Sequence, residues 1–383
     1  MIQAFLFCIY GIVIAAFTLA GWRLHRNTAL FSRRSLMTAA RTVDELPSVS
    51  VCIPARDESH VMTDSLQRVL ASTYPKLEII VMDDVSSDKT PALIKAFAQE
   101  GVRFIEGKSL PKGWLGKNHA LNTLLKEASG TYVLFLDVDT QLTPDAIEQL
   151  VTYAQQHQAS MVSVMPRRPQ AIRASTVFAP LRYLWELLFH SPSSPAVASS
   201  AWMIHRQDFI RDFVDFEKLK EVIQPEAHIA ATYMATQRYR FLIGSQLLGI
   251  FYEKKWRSQV DTSIRLLFPL LGSRIIAVVV TALDLIIVST PLFIGIGAII
   301  AGNLLHAIIA VLLYLLGAVV YGSFLRAIWS RGWVLGSLLW PVVCIQEAIL
   351  IIISAVRYRQ GSITWKGRPI QLAEKKPVLS QED

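Results

Sequence analysis

The sequence predicts an α/β domain with a mostly parallel sheet, joined to membrane helices at both ends. Between residues 48 and 255, short apolar runs alternate with stretches of helical length, which is the pattern of βαβ units. On either side the chain is strongly apolar, and overall it is 52% hydrophobic and only 18% charged. We therefore expect a membrane anchor at 1–22, the α/β domain at 48–255, a membrane region at 266–357 and a cytoplasmic tail at 358–383.

The N-terminal segment predicts an uncleaved anchor. Residues 1–21 carry no charged side chain, and a basic flank follows that consists of Arg23, Arg26, Arg33, Arg34 and Arg41. Such a flank marks the cytoplasmic side of a span. A cleaved signal peptide would carry its positive charges before the apolar run and a small-residue cleavage site after it. The sequence has neither feature, so we prefer the anchor.

The net charge of +8 suggests anionic partners. Lys and Arg residues cluster beside apolar runs instead of interleaving with aromatic residues along one face, so we expect lipid headgroups and no nucleic acid. The three cysteines, Cys8, Cys52 and Cys344, show neither metal-ligand spacing nor a disulfide framework. This usage agrees with a reducing cytosolic side.

The α/β domain places polar residues where ligands bind in such sheets, at the carboxyl ends of strands. Strands are expected at residues 48–54, 77–84, 102–106, 132–139 and 160–165, and helices at 58–71, 88–99, 117–128 and 144–156. Polar groups end the first, second and fourth strands: residues 54–58, Asp83 with Asp84, and Asp137 with Asp139. The chemistry is therefore expected at this edge.

The C-terminal membrane region poses a problem of parity. Apolar runs at 275–301, 304–321 and 333–356 would be three crossings, which would put the basic tail on the side opposite the catalytic domain. The positive-inside tendency favours the cytoplasmic side for that tail. The run at 333–356 contains Pro341 and Glu347 and is the candidate for a re-entrant or interfacial segment. Both topologies stay open, with a preference for a cytoplasmic tail.

Asp137 and Asp139 end a very apolar strand, and alternation sends both carboxylates to the same side. Two hard oxygen donors so placed suit Mg or Mn bound together with a diphosphate. A lone D-x-D is more often a solvated strand end than a metal site. The segment that starts with Asp83 and Asp84 also has two interpretations. An ordinary turn with Ser87 or Asp88 as helix N-cap explains the end of the segment. It does not explain two adjacent acids at the end of an apolar strand, where like charges repel unless a ligand or cation binds them.

Glycines and cations precede a helix start in residues 111–121, which is a natural environment for phosphate oxygens or, alternatively, a flexible basic loop. Together with the acidic segments, their order and spacing resemble the family 2 glycosyltransferases with the GT-A fold. The resemblance covers residues 48–255. It implies a nucleotide-sugar donor, which we expect to be UDP-linked, and Mn or Mg held by Asp137 and Asp139. The donor-binding residues that it implies are Pro54, Ala55, Arg56, Glu58, Asp84, Lys117, Asp137 and Asp139.

Two further segments resemble one membrane branch of this family, which includes hopanoid-associated and carotenoid glycosyltransferases. Residues 113–121 are similar to its G-W-x-G-K-x-x-A-L stretch, and residues 365–368 are similar to its W-x-G-R tail. The branch implies a lipid acceptor at the membrane and a tail that lies near the catalytic domain.

For an inverting transfer, the resemblance assigns the general base to Glu226. Pro225 replaces the first acid of the usual pair, and an ordinary helix start with Glu in its first turn explains the stretch equally simply. Glu221 is the nearest fallback. The Q-x-x-R-W motif of processive synthases is absent from residues 253–259, so we prefer transfer of a single sugar.

The alternatives are a polyprenyl-phosphate glycosyltransferase, whose acceptor needs no base, and an inactive nucleotide-sugar-binding membrane scaffold. A transporter is disfavoured because the apolar runs carry few polar residues, of which Asp284, Gln346 and Glu347 are the candidates.

Overall fold

The structure is a computed structural model that describes residues 2–32, 45–168, 172–244, 248–329 and 331–370. Arg33, Arg34 and Arg41 of the basic flank lie outside these residues, as does the end of the tail. The helices are α1 Ile2–Ser32, α2 Met62–Leu70, α3 Thr90–Ala96, α4 Gly116–Glu127, α5 Ala146–Gln156, α6 Ala174–Val177, α7 Arg182–Leu188, α8 Arg206–Phe213, α9 Pro225–Ala235, α10 Trp256–Leu270, α11 Ile275–Ile300, α12 Leu304–Ile328, α13 Trp333–Leu338 and α14 Trp340–Arg359. The strands are β1 Val49–Ala55, β2 Leu77–Asp83, β3 Val102–Glu106, β4 Tyr132–Leu136, β5 Thr140–Leu142, β6 Met161–Met165, β7 Ala201–His205, β8 Tyr239–Ile243, β9 Ile250–Tyr252, β10 Thr364–Trp365 and β11 Arg368–Pro369.

The central feature is a 7-stranded sheet in the order β3-β2-β1-β4-β7-β6-β8. All of its strand pairs are parallel except those of β7, which runs antiparallel to both β4 and β6. The predicted mostly parallel α/β fold is confirmed. The sequence analysis predicted no strand at β7 or β8, so the sheet is wider than expected.

Parallel register brings the polar strand ends together. Ala55 lies opposite Asp83, which in turn lies opposite Glu106. The neighbouring β4 is buried at every position and ends immediately before Asp137. Strands of a parallel sheet are buried on both faces, so their apolar runs stop where the backbone leaves the sheet. The acidic groups of three strands therefore share one edge.

Two hydrophobic cores cover the two faces of the sheet. One consists of strand side chains with α2 and α5, and includes Leu66 and Leu150. The other contains Leu121 of α4 and Phe135 of β4, and continues without interruption to Trp340 in the membrane helices. Burial of apolar surface thus stabilises the sheet and the membrane helices as one body.

Helices α1, α11, α12 and α14 are long and apolar enough to span a membrane. Helix α1 continues past the predicted end of the anchor at residue 22, because its last turns dock on the α/β domain. Asn27 Nδ2 donates to the Leu187 carbonyl at 2.6 Å, and Arg23 Nη1 donates to the Leu188 carbonyl at 3.3 Å. Polar side chains at the end of α1 therefore bind backbone carbonyls of α7.

The last apolar run is not one continuous helix. It breaks at Leu339, between α13 and α14, and Trp340 at the start of α14 donates its indole Nε1 to the Tyr314 carbonyl at 3.1 Å. Tyr314 lies in the middle of α12. At the other end of α14, the Tyr358 hydroxyl donates to the Arg265 carbonyl of α10 at 2.6 Å. Helix α14 therefore begins beside the middle of α12 and ends against α10.

Candidate active site

The end of β2 is held in place by the end of β1. Asp84 N donates to the Ala55 carbonyl at 2.7 Å, and Arg56 Nη1 donates to the Asp84 carbonyl at 2.5 Å. Asp84 is 1% exposed, and its Oδ1 has no hydrogen-bond partner in the described part of the chain. Burial raises the pKa of Asp84, and the positive charge of Arg368 opposes this rise. One carboxylate oxygen of Asp84 is thus buried at the end of β2 without a partner in the described part of the chain.

The loop that follows β2 is held by hydrogen bonds to the loop that follows β1. Asp57 Oδ1 accepts from both the backbone N and the hydroxyl of Ser87, at 2.7 and 3.0 Å. Asp88 accepts from Thr90 N at 2.9 Å at the start of α3. Hydrogen bonds from Thr90 and Ser59 outweigh the effect of burial and lower the pKa of Asp88. The N-cap residue of α3 is Lys89, so the predicted N-cap at Ser87 or Asp88 is wrong, although Asp88 binds the first backbone N–H of the helix.

Both carboxylates of the D-x-D pair are bound to lysines. Lys117 Nζ lies 2.8 Å from Asp137 Oδ1, and Lys254 Nζ lies 3.2 Å from Asp139 Oδ2. Burial would raise the pKa of Asp137, but the adjacent Lys117 outweighs it and lowers the pKa. Burial raises the pKa of Asp139, with Lys254 opposing the rise. The two acids therefore differ in how readily they carry a charge.

The donor set at this pair fits a hard divalent ion that arrives with other ligands. Asp139 Oδ1 is buried and has no partner among the described residues. The described residues hold no group of three or more His, Cys, Asp or Glu side chains at metal-binding distances. Asp137 and Asp139 alone give too few ligands for Mg or Mn, whereas the oxygens of a diphosphate would complete the set.

Glu226 lies on α9, and its side chain lines the same cavity as Asp137 and Lys117. It is in the first turn of α9, behind Pro225, and is only 2% exposed. It lines a cavity of about 80 Å³ together with Lys117, Asp137 and Arg182. Among the described residues, its carboxylate has no hydrogen-bond or ion-pair partner. Pro at the first helical position leaves α9 undistorted, so the exchange of the first acid for Pro225 keeps Glu226 in the site.

A much larger cleft of about 1110 Å³ adjoins this cavity at Lys117, Asp137 and Lys254. It runs between the carboxyl edge of the sheet, the amphipathic helix α10 and the C-terminal tail. Trp256 at the start of α10 is 43% exposed and donates its indole Nε1 to the Phe178 carbonyl at 3.1 Å. The cleft is large enough for a nucleotide sugar and opens beside the membrane helices.

The C-terminal hairpin β10–β11 forms one wall of the site. Arg368 Nη1 lies 2.5 Å from Asp84 Oδ2, and Lys366 Nζ lies 2.8 Å from Glu58 Oε1. Burial raises the pKa of Glu58, and Lys366 opposes that rise. A Cβ added at Gly116 would lie 2.8 Å from Arg368 Nη1, so the hairpin fits tightly against the start of α4.

Residues 50–224 match the family described as Glycosyl transferase family 2. These residues form a family 2 glycosyltransferase domain. Poly-beta-1,6-N-acetyl-D-glucosamine synthase of Staphylococcus aureus (strain COL) is 39% identical over 105 residues, which are 27% of this chain and 24% of that protein. Probable glycosyltransferase YdaM of Bacillus subtilis (strain 168) is 34% identical over 122 residues, 31% of this chain and 29% of that protein. The chain thus spans about a quarter of the length of the curated relatives it matches.

Among solved structures, the glycosyltransferase domain and its helices resemble a mannosyltransferase from Pyrobaculum calidifontis, solved with GDP-Man and Mn²⁺. The TM-score is 0.56 at 19% identity, covering 91% of this chain and 98% of that one. At this identity the likeness is one of fold, and it agrees with the predicted GT-A class.

The structure brings most of the predicted site residues together. The larger cleft is lined by Pro54, Arg56, Glu58, Lys117, Asp137 and Asp139, whereas Asp84 lines neither this cleft nor the cavity of Glu226. Ala55 differs, because its side chain is 2% exposed within a hydrophobic core and only its carbonyl contributes, as the acceptor for Asp84 N. The fallback base Glu221 is not among the residues that line the two cavities.

Sequence reasoning missed several cations of the candidate site. Lys254 stands in the stretch that was compared with the processive motif and was given no role. Arg182 and Arg265 carry no motif at all, although both line the cavity of Glu226. Arg368 was recognised only as part of a subgroup motif. The available indication was the W-x-G-R resemblance, which implied a tail near the domain without saying which residue it contacts.

Proposed function

We propose that this chain is a membrane glycosyltransferase that transfers a single sugar from a nucleotide sugar to a lipid acceptor with inversion. The glycosyltransferase domain and its named relatives support the reaction class. We take the donor to be UDP-linked, with the nucleoside at Asp84 and the diphosphate near Lys117 and the D-x-D pair. A bound Mg or Mn ion, held by Asp137 and Asp139, would neutralise the charge that develops on the departing diphosphate.

The observation that carries this proposal is the position of Glu226. Its buried carboxylate shares one cavity with Asp137 and Lys117, so a base and the donor-binding groups face the same space. In the proposed reaction Glu226 removes the proton of the acceptor hydroxyl as the oxygen attacks the anomeric carbon. Lys117 and Lys254 bind the diphosphate oxygens, and the walls formed by α10 and the tail exclude water.

The acceptor is proposed to be a lipid because the site and the membrane helices are one structure. The cleft is bordered by α10, whose inner face packs on α14 through Phe268 and Ser354. An apolar acceptor cannot leave the bilayer without a large loss of free energy, so its hydroxyl has to be met at the interface. We place the chain in the branch that resembles hopanoid-associated and carotenoid glycosyltransferases, on residues 113–121 and the tail.

We further propose that the domain and tail are both cytoplasmic and that α13–α14 is a re-entrant hairpin. The carbonyl of Ile328, at the end of α12, accepts from Arg168 N at 2.8 Å, so this end of α12 lies at the domain. Tyr314 is about 21 Å deeper along α12 at 1.5 Å per residue, and Trp340 lies beside it. Helix α14 then rises to α10, and the chain re-enters the site as β10–β11.

Transfer assays test the activity. Detergent-purified protein with lipid extract is given a panel of nucleotide sugars with and without Mn²⁺, beside Asp139→Ala and Glu226→Gln. We expect metal-dependent product, and a loss in kcat of about 10²–10⁴-fold for Glu226→Gln, the range for a general base. Metal-dependent nucleotide binding without product from any donor would refute catalysis and favour the inactive scaffold.

A phosphate-bearing acceptor, such as a polyprenyl phosphate, is the second candidate, and the arginines of the cavity favour it. Arg182 and Arg265 both line the cavity of Glu226. The guanidinium of Arg265 has no hydrogen bond or ion pair to a described residue, and Arg182 Nε is buried without a partner among them. An acceptor that is already an anion needs no base, so full activity of Glu226→Gln would select this candidate.

Cysteine labelling in sealed vesicles tests the topology, in a variant with Cys8→Ser. We expect Ser362→Cys and Arg331→Cys to react with an impermeant maleimide from the same side, and Asn303→Cys from the opposite side. Labelling of Ser362→Cys and Arg331→Cys from opposite sides would mean that α13–α14 crosses the bilayer.

A further inference from the structure

Each carboxylate of the D-x-D pair forms an ion pair with the ammonium group of a lysine. Lys254 Nζ lies 3.2 Å from Asp139 Oδ2, and Lys117 Nζ lies 2.8 Å from Asp137 Oδ1. Both lysine side chains are mostly buried, at 20% and 26% exposed. The positive charge that the pair needs is therefore supplied by the chain itself.

Lys254 is held beside Asp139 by the backbone. Strand β5 starts directly after Asp139 and pairs antiparallel with β9, so that Thr140 lies opposite Tyr252. Glu253 N donates to the Asp139 carbonyl at 3.3 Å, one residue before Lys254. The ammonium also lies 5.9 Å from the centroid of the Tyr252 ring. The two-stranded ribbon thus fixes the lysine to the end of the D-x-D segment.

Only one of the two carboxylate oxygens of Asp139 contacts this lysine. Oδ2 accepts the ammonium, while Oδ1 is buried and has no partner in the described part of the chain. A divalent ion at Asp139 would meet the ammonium of Lys254 within a few ångströms, and the repulsion between the two cations at such a distance is large. The ion can enter only when another anion takes up Lys254, and the diphosphate of the donor is such an anion.

We propose that Lys254 is the resident counter-cation of Asp139, that it excludes the divalent ion from the free enzyme, and that it moves to the diphosphate when the donor binds. Metal binding then requires the donor. This inference rests on the proposed function in taking Asp139 as the metal-binding residue. Lys254 is a positioning residue that sets the order of binding.

Binding of Mn²⁺ to the full-length, detergent-purified protein, followed by the loss of the free-ion EPR signal, tests the proposal without a transfer reaction. In the wild type we expect UDP to tighten Mn²⁺ binding by about tenfold or more. In Lys254→Gln we expect Mn²⁺ alone to bind about tenfold or more tightly than in the wild type. Lys255→Gln is the matched control, because it removes the same charge from the exposed neighbouring lysine, and we expect wild-type binding. Asp139→Asn combined with Lys254→Gln should lose the gain.

The outcomes separate this inference from the proposed function. Wild-type protein that binds Mn²⁺ equally well with and without UDP, or equal gains in Lys254→Gln and Lys255→Gln, would overturn the inference and leave metal-dependent transfer standing. Absence of Mn²⁺ binding in every variant, even with UDP, would overturn the metal dependence of the proposed function as well.

Discussion

Removal of Arg368 should weaken nucleotide binding, although this residue follows α14 in the sequence. Its guanidinium is 2.5 Å from Asp84 Oδ2, with side-chain exposures of 20% for Arg368 and 2% for Asp84. The pair fixes Asp84, whose Oδ1 is buried without a partner in the described part of the chain, and the proposed function assigns the nucleoside to this residue. In Arg368→Ala the buried carboxylate loses its counter-charge, and protonation or rotation of the group then removes the acceptor.

The magnitude follows from the burial of the pair. Breaking a buried ion pair costs about 3–5 kcal/mol, and the partial exposure of Arg368 lets water offset some of this loss. We expect about 2 kcal/mol of lost stability, and a Kd for UDP that rises by about tenfold, or 1.4 kcal/mol. The effect on Kd should grow as the pH is lowered, because burial already raises the pKa of Asp84 and Arg368 opposes this rise.

Isothermal titration of UDP into detergent-purified protein measures the Kd, and thermal unfolding measures the stability. Arg359→Ala is the matched control, because Arg359 is an exposed arginine at the end of α14. Arg368→Lys should retain part of the affinity. An unchanged Kd in Arg368→Ala, or the same increase in Arg359→Ala, would refute the role of the tail in the donor site.

Two further predictions concern the start of α4 and a buried acid. Gly116→Ala should weaken UDP binding as we expect for Arg368→Ala, because the added Cβ would lie 3.0 Å from Asp84 Oδ2. Gly297→Ala is the control, because a Cβ at that position meets nothing within 4 Å. Isothermal titration of UDP into Gly297→Ala should give the wild-type Kd. Glu186 has its pKa raised from 4.5 to about 7 by burial, so the folded state binds more protons than the unfolded state between these values, and stability falls as the pH rises through this window. Thermal unfolding of Glu186→Gln should therefore show a gain of up to about 3 kcal/mol at pH 8 and almost none below pH 4.5, while the exposed-site control Glu100→Gln shows neither. A gain that is independent of pH would contradict this assignment.

The parts of the fold that depend on local pattern were predictable. The apolar run of β4 followed by Asp137 and Asp139 is a strand end in any context, and the structure places it at the sheet edge with the end of β2. Strand β7 was not predictable in the same way, because its direction depends on pairing with β4 and β6 and not on its own residues. A short apolar run indicates that a strand is present, but it does not indicate which strands it pairs with or in which direction it runs.

The part of the candidate site that could not be predicted from the sequence consists of contacts between distant parts of the chain. Arg368 and Asp84 are 284 residues apart, and Lys254 reaches Asp139 only because β5 and β9 pair. Each lysine or arginine alone is typical of a solvated surface or a membrane flank. Without the register of the ribbon and the path of the tail, nothing in the sequence distinguishes these cations from the many others.

The ion pair at Arg368 also bears on the topology that hydropathy left open. A helix that crosses the bilayer carries the chain about 30 Å through hydrocarbon, so three crossings after α10 would put the tail on the side opposite Asp84. The tail instead contacts Asp84 directly, which requires an even number of crossings between them. In the proposed topology, helices α11 and α12 supply two crossings, and α13–α14 turns back beside Tyr314 at the break at Leu339. We therefore expect a variant that straightens α13–α14 into one span to lose both the contact between Arg368 and Asp84 and the binding of UDP.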